Sequence, residues 1–227
     1  MIVPGADPET VLRWAYDEFA RVAIVASFQA ESSVIIDMAS KIRPDLEVLT
    51  LDTGRLPQET HDMIDRVSQL YGIDVQVVTP DPADVRSMVA SHGSNLFYAS
   101  IELRRLCCDV RKSRPLERAL GGYDAWITGV RREQAPTRAY TNVVTTDPDR
   151  GGIAKVAPLA GWTKAQVWDY IRKHDLPYNS LYDRGFTSIG CAPCTRATVN
   201  GEDERAGRWW WEQNGVKECS LHRRTDQ

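Results

Sequence analysis

Long apolar runs are missing from this sequence: none of its 227 residues belongs to one longer than a strand, whereas a membrane-spanning helix needs about 20 apolar residues in succession. No membrane association is therefore expected. The chain also lacks a charged-then-apolar leader, so the expected location is cytoplasmic. Strong charge of one sign is absent too. A formal net charge of -3 argues against a general nucleic-acid coat, and any basic patch must be local and sized for one small anionic ligand. Neither GxxxxGKS/T nor GxGxxG occurs, which disfavours an ordinary P-loop ATPase and a nicotinamide-binding Rossmann enzyme. There is no internal repeat and no low-complexity tract. Cysteine is scarce at five residues, and with 42% hydrophobic content the chain can bury a full core without disulfide staples. In a reducing compartment those cysteines read as ligands or nucleophiles, and an odd count leaves one over.

What is present alternates strand and helix. RVAIVA (Arg21 to Ala26), LEVLTL (Leu46 to Leu51), Ile73 to Val78 and YDAWIT (Tyr123 to Thr128) read as strands. Between them, Ser32 to Ile42 and about Pro57 to Leu70 have helical periodicity, and Thr163 to Lys173 returns to it later. Strands joined by helix-length crossovers require a parallel sheet, so the fold class is α/β with helices on both faces. The stretch around Asp147, Pro148, Gly151 and Gly152 reads as an irregular excursion with an antiparallel hairpin as one option. From Leu176 onward periodicity fades, and the division expected is a nucleotide- and metal-binding domain over 1–200 with a C-terminal tail over 201–227. Ligands of such sheets sit off the carboxyl ends of the strands, here the turns at Ser27, Asp52 and Gly129. A polar turn feeding a helix, as in SFQAESS, suits a phosphate; a plain N-cap by Ser32 or Ser33 is the blander option.

The cysteines carry more. RLCCDVRKSRP sets Cys107 beside Cys108, with six Lys or Arg and two acids between Arg104 and Arg118. Adjacent Cα atoms lie ~3.8 Å apart, so a disulfide between them would be strained. Far downstream, GCAPCTR spaces Cys191 and Cys194 so that both sulfurs can face one metal centre. Four thiolates admit zinc or an iron–sulfur cluster. The leftover thiol is Cys219 in KECSLHRR, where Lys217, His222, Arg223 and Arg224 favour a thiolate, against the alternative of an idle surface thiol. Upstream, Arg205 and Arg208 are expected three residues apart on one helical face, as two forks for phosphate or sulfate, and Trp209, Trp210 and Trp211 are expected to pack the tail.

SFQAES resembles the SGGxDS loop of the PP-loop, or adenine nucleotide alpha hydrolase-like, superfamily, with Phe28 and Gln29 standing where glycines would be and Glu31 replacing Asp. Over nearly its whole length the chain resembles the assimilatory sulfonucleotide reductases, specifically the bacterial adenylyl-sulfate (APS) reductases that carry a [4Fe-4S] cluster. The matching pieces are the Ser27 loop, LDTGRLPQET, CCDVRKSRPL, WITGVRREQAPTR, PYNSLYDRGFTSIGCAPCTR, GRWWWE and KECSLH, with Ser220 in place of the family's glycine. The resemblance implies a PP-loop fold with a catalytic tail, a cluster held by Cys107, Cys108, Cys191 and Cys194, and Cys219 as the nucleophile. It implies that Cys219 takes the sulfo group as S-sulfocysteine while AMP departs, and that thioredoxin or glutaredoxin releases sulfite. Lys112, Arg205 and Arg208 would offset the anionic oxygens, His222 would orient the tail or assist the thiolate, and Ser27, Leu51, Gly129 and Arg138 would bind the nucleotide. A homo-oligomer is left open. So are a reductase of the 3′-phosphorylated substrate (PAPS) or of both, a PP-loop ATP-dependent sulfur transferase or ligase, and a zinc-stabilised nucleotide-binding module without catalysis.

Overall fold

A computed structural model describes residues 5–212 and 217–218. Cys219 and His222 lie outside the described residues. The order is α1 (Pro8–Glu18), β1 (Val22–Val25), α2 (Ala30–Ser40), β2 (Glu47–Leu51), α3 (Gln58–Tyr71), β3 (Val75–Val78), α4 (Pro82–His92), α5 (Ile101–Cys108), α6 (Arg114–Ala119), β4 (Ala125–Ile127), β5 (Val144–Asp147), β6 (Ile153–Val156) and α7 (Lys164–Lys173). The helices begin where local chemistry provides acceptors for their unpaired N–H groups. Asp7 caps α1 ahead of Pro8, Asp81 caps α4 ahead of Pro82, and Thr163 with Gln166 forms a capping box on α7. Their ends are as local: α3 stops at Gly72, whose φ of 62° closes the last turn.

The six strands form one sheet in the order β3-β2-β1-β4-β6-β5, parallel throughout except for the antiparallel pair β5–β6. The excursion near Asp147 is thus a hairpin, and β6 also pairs in parallel with β4 and extends the sheet. Alternate strand residues go to opposite faces. Val22, Ile24, Val48, Ala125 and Ile127 join the core with α1, α2, α3 and α7, whereas Ala23, Leu49 and Trp126 pack with Leu116 and Leu120 beyond the other face. Both faces are covered, as a parallel sheet requires. Strand order reverses between β1 and β4, which opens a crevice at their carboxyl ends. No helix among the described residues is long and apolar enough to cross a membrane.

Candidate active site

The first wall of the crevice is the turn after β1. Phe28 is buried at φ 54°, a left-handed conformation that β1 needs to swing into α2. The Ser27 N–H donates to Ser32 Oγ at 3.1 Å, Gln29 Nε2 donates to Ser27 Oγ at 3.1 Å, and Gln29 Oε1 accepts from the Ile189 N–H at 2.7 Å. Gln29 itself is the N-cap residue of α2 and makes no side-chain cap bond, so neither Ser32 nor Ser33 serves as the expected cap. The Ala30 N–H donates to the Tyr182 hydroxyl at 3.1 Å. Side chains therefore occupy the loop that would cradle a pyrophosphate were it built of glycines.

Ser27, Leu51 and Gly129 line a cleft of about 150 Å³, and Lys112, Arg138, Arg205 and Arg208 line it with them. All seven of these sequence-predicted positions come together. Gly129 is required by contact, because a Cβ there would lie 2.8 Å from Glu31 Cβ at the start of α2. Arg205 and Arg208 arrive differently from the expectation. Their segment is a run of turns with a bridge from Arg208 to Thr195, not a helix, since the Arg196 N–H bonds the Gly207 carbonyl and ties the end of the run to residues 195–196. Arg208 is pinned by its Nη1 donating to the Ile189 carbonyl at 3.1 Å, and the glycine at Gly190 gives it room, since a Cβ there would lie 2.3 Å from Arg208 Nη2 and displace the guanidinium. Arg208 Nε is buried with no protein partner among the described residues. Such an orphaned donor on a cleft wall suits an anion.

Sequence reasoning missed the ion-pair network behind this wall. Arg131, 1% exposed, donates from Nε to Glu31 at 2.8 Å and from Nη2 to both oxygens of Glu204 at 3.1 Å. Gln134 Nε2 donates to Glu31 Oε1 at 3.0 Å. Burial pushes the Glu204 carboxyl up, with the Arg131 charge acting against it. Glu31 is thereby committed to a structural pair, and Glu204 holds the segment that carries Arg205. The only hint in the sequence was the arginine and glutamine content of GVRREQ. Glu218 was missed as well. Its carboxylate meets Arg138 Nη2 at 2.6 Å and Arg205 Nη2 at 3.2 Å, inside the cleft wall.

Cys107, Cys108, Cys191 and Cys194 are buried and gathered around a second, smaller cavity. Here α5 runs into a π-helical turn, Asp109–Ser113, whose extra residue re-aims the segment after the paired cysteines. Cys191 Sγ lies 3.2 Å from Thr53 Oγ1, and Arg111 Nη1 donates to the Thr53 carbonyl at 2.7 Å. Burial pushes the Cys107 thiol up against the pull of Arg111, and pushes Cys194 up to about 12, with Cys191 adding to the rise. No three His, Cys, Asp or Glu side chains among the described residues are placed as a single-ion metal site. Arg55, Arg104, Arg111 and Lys112 line the same cavity. Lys112 thus belongs to both the cleft and the cysteine cavity. The buried Trp209 packs with the cysteines, as the expectation of a packed tail requires, while Trp210 is 40% exposed.

The model of the family described as phosphoadenosine phosphosulfate reductase domain matches residues 21–197. Among curated proteins, the chain is 45% identical over 207 residues to the adenosine 5'-phosphosulfate reductase of Allochromatium vinosum, covering 91% of this chain and 80% of that protein. It is 48% identical over 202 residues to the protein of the same name from Burkholderia cepacia, covering 89% and 80%. Among solved structures it is similar to phosphoadenylyl-sulfate (PAPS) reductase from Candida auris in a phosphate complex, with TM-score 0.72 and 30% identity over 86% of this chain and 91% of that one. FMN adenylyltransferase from Candida glabrata, at TM-score 0.60 and 14% identity over 93% and 72%, shares the fold.

Proposed function

The chain belongs to the phosphoadenosine phosphosulfate reductase domain family, and from that premise we propose that it reduces APS to sulfite and AMP in sulfate assimilation. The observation that carries the reading is the shared position of Lys112, on the wall of the cationic cleft and of the four-cysteine cavity at once. Ser27, Leu51 and Gly129 take the adenosine end of the nucleotide, and Lys112, Arg138, Arg205 and Arg208 take its phosphosulfate. These cations lower the repulsion between a thiolate and the sulfo group it approaches. The Cys219 thiolate attacks that sulfur; the new S–S bond forms as the S–O bond to the phosphate breaks, and AMP leaves with the electron pair. A thiol of thioredoxin or glutaredoxin then attacks Cys219 Sγ, releasing sulfite and leaving a mixed disulfide that the reductant's second thiol resolves. The two electrons come from those thiols, and His222 orients the tail or assists the thiolate.

The cysteine cavity fits a 4Fe-4S cluster. Its donor set is four thiols without a lining carboxylate, and lining cations offset the negative charge that four thiolates bring. Arg111 Nε and Trp209 Nε1, both beside the cysteines, are buried donors without protein partners among the described residues, available to sulfur acceptors. When bound, the cluster supplies the electrostatic environment of the Lys112 segment. Cytoplasmic conditions would keep its ligands reduced. Functionally, residues 1–200 hold the cluster and most of the nucleotide site, while 201–227 supply the nucleophile together with Arg205 and Arg208.

Anaerobically purified protein mixed with sulfur-labelled APS and no reductant tests the reading. One label per chain is expected, in a peptide containing Cys219, discharged as sulfite by reduced thioredoxin. Cys219→Ser should keep its iron and its AMP affinity and make no sulfite. Label on Cys107, Cys108, Cys191 or Cys194 would overturn the mechanism. ATP consumption with intact APS would mark a ligase, stoichiometric zinc without sulfide would mark the zinc module, and faster sulfite release from PAPS would reassign the substrate.

A further inference from the structure

Glu218 immediately precedes Cys219, and its carboxylate is held in the cleft wall by three side chains. Arg138 grips it with a fork, Nε to Oε2 at 2.9 Å and Nη2 to Oε1 at 2.6 Å. The Thr137 hydroxyl donates to Oε2 at 3.1 Å, and Arg205 Nη2 donates to Oε1 at 3.2 Å. The side chain is only 8% exposed, so the seat is built and not a chance surface pairing. A guanidinium fork recognises carboxylate, phosphate and sulfate oxygens by the same geometry.

We propose that Glu218 is a resident anion in the seat that Arg138 and Arg205 offer to the substrate's phosphosulfate, and that nucleotide binding evicts it. The inference rests on the function proposed above and adds a control step to that site. Occupancy of the fork is the first reason for eviction. Arg138 spends three of its five N–H groups, Nε and Nη2 on Glu218 and Nη1 on Gln134 Oε1, so an incoming oxyanion competes with Glu218 for the Nε–Nη2 fork. Charge is the second. Six basic side chains line the cleft against Glu31 and Glu204, and both of those acids are already paired with Arg131, so Glu218 is a third acid, supplied by the tail itself. A ligand bringing its own anion makes that carboxylate a like-charge neighbour and drives it out.

Eviction loosens the backbone next to the nucleophile. Arg104 Nη1 donates to the Glu218 carbonyl at 3.1 Å, and Arg205 Nη2 donates to the Lys217 carbonyl at 3.1 Å. Arg205 therefore serves the carboxylate and the backbone with one nitrogen, and engaging a phosphosulfate weakens both bonds. Glu218 is a positioning residue: it anchors the backbone at Lys217 and Glu218 while the seat lacks nucleotide and releases it when the seat is claimed. Adenosine, which has no anion, should not claim the seat.

The test measures AMP and adenosine binding by calorimetry on the intact, anaerobically purified chain, wild type and Glu218→Gln, with trypsin cleavage after Lys217 followed in the wild type. Glu218→Gln should bind AMP about tenfold more tightly, since a neutral amide replaces a competing charge, and adenosine equally. Saturating AMP should speed cleavage after Lys217, and adenosine should not. If Glu218→Gln binds AMP no better or more weakly, or if AMP slows that cleavage, Glu218 is a latch that closes on the ligand and the proposal is wrong. Should the variant fail to fold, the wild-type cleavage rates decide alone. A wild type that binds no AMP would overturn the nucleotide reading itself, a failure distinct from the first.

Discussion

At Lys155 on β6 a cation lies 5.0 Å from the centroid of the Trp126 ring. Burial pushes its pKa down to about 8, Arg150 and Arg138 add to the fall, and Asp147 and Glu218 oppose it. An unfolded lysine titrates near 10.4. Between those values the unfolded chain holds a proton that the folded one has lost, so this group makes stability rise with pH from about 8 to about 10.4. Below that window both states are charged and the desolvation cost is constant. Urea midpoints of wild type and Lys155→Met across pH 7 to 10.5 check it: the difference between the two proteins should shift in favour of wild type as pH rises, and a flat difference would refute it. The residue lies close enough to Arg138 and Glu218 to act on the anion seat. Nothing in the sequence marks it, because a lysine's partners here come from β4, β5 and the tail. Lys112, Arg138 and the four cysteines were legible for the opposite reason: each stands in a short motif whose spacing already implies its chemistry.

Between β1 and β4, two strand-to-helix turns press together, and the contact is Gly129 against Glu31. Adding a methyl group there would put its carbon 2.8 Å from Glu31 Cβ, so the start of α2 must move away. Gly129→Ala should cost about 1–3 kcal/mol by urea denaturation, as overpacking does. It should also weaken AMP binding, because the displaced element carries the Ser27 turn. Wild-type affinity in that variant would remove Gly129 from the nucleotide wall. At this scale β1 to β4 and the helices α2, α3 and α7 followed from the sequence to within about two residues: the strands and α2 are continuous apolar-rich runs, while α3 and α7 are amphipathic and α7 is capped by Thr163. The turn structure of 204–208 did not, because a three-residue spacing of arginines reads as a helical face until Thr195 and Arg196 are seen to claim the strand-like alternative. The π turn after Cys108 was equally invisible; a helix and its one-residue bulge share the same apolar pattern.

Across the whole molecule, the paired cysteines of α5 and those of residues 191–194 come from distant parts of the chain, with α6, β4, β5, β6 and α7 between them. Arg104 extends the connection: it lines the cysteine cavity, pairs with the buried Glu212 at 2.8 Å and holds the Glu218 carbonyl. A cluster bound to all four sulfurs would close a loop of over 80 residues, and by the entropy of such a closure its loss should cost about 4–5 kcal/mol. Burial pushes the Cys107 and Cys194 thiols up, and Arg111 pulls Cys107 the other way. On that closure cost, removing iron with a chelator under anaerobic, reducing conditions should lower the melting temperature by about 10–20 °C and lower AMP affinity with it, because Lys112 sits on the wall between cavity and cleft. Lys112→Ala separates the two effects. It should lose affinity and activity while keeping iron and melting temperature, since the change removes a cation and leaves the four sulfurs in place. If iron-free protein melts as wild type does and binds AMP equally well, the cavity neither braces the fold nor sets the cleft, and the coupling argued from Lys112 fails.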